Sequence, residues 1–61
     1  MNSITVIYDI ASEIGVANEL LNVHSVSGNI IWVQDNAGRN WNAKMNKAGT
    51  RILKNSVRRE H

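Results

Sequence analysis

Asn29-Ile30-Ile31-Trp32-Val33-Gln34-Asp35-Asn36-Ala37-Gly38-Arg39-Asn40-Trp41-Asn42-Ala43-Lys44-Met45 holds both tryptophans of the chain and reads as a β-hairpin. Two runs rich in β-branched and aromatic residues flank Asp35 to Arg39, and Asp and Asn early in the turn with Gly38 late fit a type I turn whose left-handed position needs glycine. Two registers are open. With Asn36-Ala37-Gly38 as the loop, Asp35 pairs with Arg39, Val33 with Trp41 and Ile31 with Ala43, leaving Ile30, Trp32, Gln34, Asn42 and Lys44 on the other face. With Ala37-Gly38 alone as the turn, Gln34 meets Trp41 and both tryptophans share one face. The first is preferred, because the second sets alanine where Asn, Asp or Gly is usual.

A chain of 61 residues with no cysteine and no proline is one small domain without a disulfide or zinc staple. Self-association is the remaining staple, and a homodimer is expected through a sheet edge or the apolar sides of short helices. No apolar run approaches a membrane span, and Met1 to Leu21 lacks the basic start of a signal peptide, so no membrane contact and a cytoplasmic location are expected. The net charge of +2 conceals a division. Residues 1–35 carry Asp9, Glu13, Glu19 and Asp35 and no Lys or Arg, while residues 36–61 carry Arg39, Lys44, Lys47, Arg51, Lys54, Arg58 and Arg59 against Glu60. Such asymmetry points to a basic segment aimed at an anion, or to two halves that attract each other within or between subunits.

The chain is expected to be α+β, as an N-terminal strand, two short helices and an antiparallel hairpin with a further short strand. Ser3-Ile4-Thr5-Val6-Ile7-Tyr8 is dense in β-branched residues and is expected extended, with Tyr8 packed. Asp9 would cap a helix over 9–15 that Gly15 stops, and Val16 to Val23 would form a second helix with Leu20 and Leu21 on one side. Ser25-Val26-Ser27-Gly28 would turn into the hairpin. After Asn46-Lys47-Ala48-Gly49, Thr50-Arg51-Ile52-Leu53-Lys54 is expected as the further strand, with a final helical turn as the alternative. The domain would then span 1–54, with 55–61 a basic, flexible tail.

Ile10-Ala11-Ser12-Glu13-Ile14-Gly15-Val16 resembles the heart of a helix-turn-helix unit, in which a small residue four before a turn glycine lets two helices cross closely. In outline, residues 4–45 resemble the small winged-helix domains of phage excisionases and the MerR group, and Gly15 to Met45 resembles small phage Cro repressors. The resemblance implies DNA binding in transcription regulation, with Ala17 to Val23 as recognition helix and Asp35 to Arg39 as wing tip. Such helices offer basic or amide side chains to DNA, yet Ala17-Asn18-Glu19-Leu20-Leu21-Asn22-Val23 has no basic residue and one acid.

Charge therefore places a nucleic-acid surface on the hairpin and C-terminal segment. Arg39, Lys44, Lys47, Arg51, Lys54, Arg58 and Arg59 would contact phosphates, and Trp32 would stack on a base. DNA is favoured over RNA as the partner. The alternative is a small modulator of a host protein, docking through the acidic helices or by strand addition at a sheet edge. Trp41 is expected in the core, Trp32 either in the core or on the open face, and His24 at the surface or a sheet edge. Metal and cofactor sites are not expected, because His24 and His61 are the only imidazoles and the acids are scattered. No serine sits in a nucleophile elbow and there is no Gly-rich phosphate loop, so the chain does not read as an enzyme.

Overall fold

The computed structural model describes residues 4–60, so Ser3 of the expected first strand and His61 of the expected tail lie outside the described residues. One helix, α1 (Ile4–Ile14), covers one face of an antiparallel sheet made of β1 (Asn22–Ser27), β2 (Ile30–Gln34), β3 (Asn40–Lys44) and β4 (Arg58–Glu60) in the spatial order β1-β2-β3-β4. This corrects the expected strand, two helices, hairpin and further strand in three places.

The first correction is at the N-terminus. The β-branched run from Ile4 to Tyr8 is helical, continuing without a break through Asp9 to Ile14. Intrinsic preference is overridden by packing, because Val6, Ile7, Ile10, Ala11 and Ile14 recur at helical spacing and all join one apolar cluster. A strand would send Val6 and Ile7 to opposite faces. Tyr8, expected to pack, lies on the outward side of α1 and is exposed. Gly15 does end the helix, at φ 76°. The Val16 amide closes back onto the Ala11 carbonyl at 3.1 Å, a geometry that glycine in the left-handed region permits.

The second correction follows Gly15. Residues 16–23 are no helix: they hold a three-residue 3-10 turn, Asn18–Leu20, and then enter β1. The recognition helix implied over Ala17 to Val23 is therefore absent from the fold, and with it the winged-helix arrangement. Ser25 to Ser27, expected as a turn, continue β1, and only Gly28 and Asn29 link it to β2. Ser27 pairs with Ile30, and Gly28 takes φ 59°, so the link is a two-residue hairpin turn with glycine at its first central position.

The hairpin of β2 and β3 adopts the preferred register, with Val33 opposite Trp41, Ile31 opposite Ala43 and Ile30 opposite Lys44. The alternation sends Ile31, Val33, Trp41 and Ala43 toward α1 and Ile30, Trp32, Gln34, Asn40, Asn42 and Lys44 to the open face. The further strand lies later than expected. Within Thr50 to Lys54 only Ile52 pairs, as a single bridge to Met45, and the chain returns to β3 at Arg58–Glu60, inside the segment expected as a tail. Between these points the Ser56 hydroxyl accepts from the Lys44 amide at 3.2 Å and donates to the Leu53 carbonyl at 2.7 Å.

The core is small: Val6, Ile10, Ala11, Leu21, Ile31, Val33, Ala43 and Met45 are its buried apolar residues among those described. Ile10 is fully buried between helix and sheet, so Ile10→Ala should cost about 2–5 kcal/mol. That is a large share of the roughly 3–9 kcal/mol expected for a domain of this length. Tyr8→Ala, on the exposed side of the same helix, should change stability by less than about 0.5 kcal/mol. Urea denaturation of both variants checks this, and equal losses would refute the assignment of the buried helix face.

Candidate nucleic-acid interface

The site is organised by the turn between β2 and β3. Asp35 directly follows β2 and is buried, and all its partners come from the next six residues. Its Oδ1 accepts from the Ala37 and Arg39 amides at 2.9 Å each, while Oδ2 accepts from Arg39 Nε at 2.8 Å and Trp41 Nε1 at 3.1 Å. Backbone bonds from the Gly38 amide to the Asp35 carbonyl and from the Asp35 amide to the Arg39 carbonyl complete the turn, with Gly38 at φ 83°. Burial of Asp35 opposes its ionisation, but four donors converging on one carboxylate outweigh it and hold the pKa down at about 2. Trp41 is thereby anchored by its indole nitrogen on the helix side, with the Arg39 guanidinium 6.0 Å from its ring centre. Trp32, nine residues earlier and on the opposite face, is left half-buried in the open sheet.

The structure divides the expected phosphate-binding residues. Arg51 is committed elsewhere: its Nε and Nη2 donate to Asp9 of α1 at 2.7 and 2.9 Å, and the Ile52 amide adds a bond to the same carboxylate at 3.3 Å. The Arg51 hydrogen bond is the main reason the Asp9 pKa falls below the usual carboxylate value. Arg39 is likewise held by Asp35. Arg59 lies opposite Trp41, on the helix side of the sheet. Lys47 lines a separate groove with Gly28, Asn29 and Gly49.

Lys44, Lys54 and Arg58 come together. They line one groove on the open face, of about 360 Å³, with Ile30, Asn42 and Asn55, and no carboxylate lines it among the described residues. A second groove of about 290 Å³ is lined by Trp32, His24, Ser25, Asn40 and Glu60. Residues from both outer strands reach that groove, so the open face curves around Trp32. Both volumes lie near the bottom of the roughly 300–1,000 Å³ typical of enclosed ligand pockets, and a shallow curved face suits an extended chain better than a small molecule. Asn40, Asn42, His24 and Glu60 were missed from sequence. The alternation of β3 was the available signal, since it puts Asn40, Asn42 and Lys44 on one face with Trp32.

Among the described residues no three His, Asp or Glu side chains gather to hold a metal ion, and no helix is long and apolar enough to cross a membrane. No family model, curated protein or solved structure matches the chain.

Asp35→Asn should strike the turn, because an amide nitrogen in place of one oxygen would face donors where an acceptor is required. An Asp with a depressed folded pKa contributes stability that is complete above its unfolded pKa near 4 and lost as pH falls through about 2. Thermal melts between pH 5 and 2 should show the Asn variant less stable at pH 5 and losing less than the wild type on acidification. Parallel acid profiles for the two proteins would contradict the role given to Asp35.

Proposed function

We propose that this chain is a small regulatory protein that binds unpaired nucleic acid, DNA or RNA, across the open face of its sheet. The observation that carries this is the half-buried Trp32 between a cationic groove and a polar one. An aromatic ring on an open sheet face offers an unpaired base a stacking surface of any sequence, and basic side chains alongside it neutralise the backbone. Lys44, Lys54 and Arg58 supply that charge. Asn40 and Glu60, opposite one another on β3 and β4, offer an amide and a carboxylate to the hydrogen-bonding edge of a base lodged beside Trp32. The binding surface is thus smaller than the seven cations read from sequence. Arg39 and Arg51 already neutralise carboxylates of the chain itself.

Fluorescence anisotropy with labelled single-stranded DNA, single-stranded RNA and duplex DNA at several salt concentrations tests this. Single strands should bind more tightly than duplex, since Trp32 has no stacked partner to displace in them. Each of Lys44→Ala, Lys54→Ala and Arg58→Ala should reduce the slope of log affinity against log salt by about 0.7. Trp32→Ala should cost about 1–3 kcal/mol on single strands. Arg51→Ala should leave the slope unchanged and reduce stability instead. No binding to any of the three probes at low salt would refute the proposal and promote a host-protein target.

A further inference from the structure

Strand β1 is an outer strand with one edge unpaired in the described structure, and its six residues, Asn22–Ser27, are all exposed. Outer strands usually carry devices that hinder further pairing: lysine, other charges, proline or a bulge. The opposite outer strand, β4, is Arg58-Arg59-Glu60, while β1 is Asn-Val-His-Ser-Val-Ser, without an acid, lysine, arginine or proline. The sheet carries charge along one edge, while the other has no charge or proline and only a bulge between Val23 and Ser25 to interrupt it.

The apolar pattern of β1 points the same way. A bulge at His24 breaks the alternation, so Val23 and Val26, three residues apart, both lie on the helix side opposite Val33 and Ile31. Their partners on β2 are 1% and 0% exposed, yet Val23 and Val26 remain 42% and 45% exposed. The core runs out to this edge and stops uncovered. The strand is also self-complementary: an antiparallel pair of β1 strands centred between His24 and Ser25 sets Val23 of each copy against Val26 of the other, and no charged pair is forced together.

We infer that β1 pairs with β1 of a second copy of this chain, joining two four-stranded sheets into one of eight strands. The two-fold axis of such a pair stands normal to the sheet, so both helices lie on one side with the four valines between them. Both open faces lie on the other. Strand spacing of ~4.8 Å sets the two β2 strands, each with its Trp32, ~14 Å apart. A single strand edge covers less than the ~800 Å² per partner of a standard stable interface, so the association is expected at micromolar rather than nanomolar concentration. The inference stands on strand chemistry alone and is independent of nucleic-acid binding.

Sedimentation equilibrium from 5 to 500 µM, with no nucleic acid present, reads the association directly. The wild type should pass from monomer to dimer. Val26→Lys, which adds a charge at an already exposed position, should remain monomeric with an unchanged circular dichroism spectrum. Hydrogen exchange requires no substitution: protection of amides in 22–27 should rise with protein concentration, while that of amides in 58–60 should not. A wild type monomeric at 500 µM, a Val26→Lys variant that dimerises like the wild type, or exchange in 22–27 indifferent to concentration would each overturn the inference.

Discussion

Four hydrogen bonds to the Asp35 carboxylate hold the turn on which the sheet depends. A buried carboxylate is tolerable only when its charge and lone pairs are satisfied, and here the donors come from one turn and the first residues of β3. Because those donors include the Trp41 indole, the bonds that close the turn also tie down the largest side chain on the helix side. A slip of one residue between β2 and β3 would break these bonds and invert both faces at once. The turn thereby decides that Trp41 completes the core and that Trp32 looks outward.

The uneven division of charge along the chain has a structural use. Two acids of the first 35 residues, Asp9 and Asp35, take up Arg51 and Arg39 from the second part. The first pair fastens the loop after β3 to α1 and the second closes the hairpin. Attraction between the two parts of the sequence is thus realised within one chain. It also sorts the cations: those next to an acid become structural, and Lys44, Lys54 and Arg58 are left to gather where the described structure places no acid.

The helix and the first strand were both legible in principle, in patterns that competed with local preference. Ile4 to Tyr8 looks extended residue by residue, but the apolar spacing through Ile14 belongs to a helix, and an amphipathic helix covering a sheet outweighs the weak preference of β-branched residues. Val16 to Val23 looks helical by its leucines. Yet Leu20 is exposed and Leu21 buried, and Ser27-Gly28-Asn29 is itself a tight-turn signal between two valine- and isoleucine-bearing runs. Reading those runs as paired strands would have given β1. Arg58–Glu60 carried no such pattern, because a three-residue outer strand with every side chain exposed has no buried face to leave an imprint.

By itself the sequence determined the β2 and β3 register, the glycine turn between them, the end of the helix at Gly15 and the face on which Trp32 lies. Each rests on contacts between residues close along the chain, where spacing alone constrains geometry. Only the tertiary structure decided which cations are free. Arg51 meets Asp9 across 42 residues, and Lys44 meets Arg58 because the chain leaves β3 at Met45 and returns as β4. Such distant encounters depend on which faces must be buried together, a property of the whole packed chain that no local pattern records.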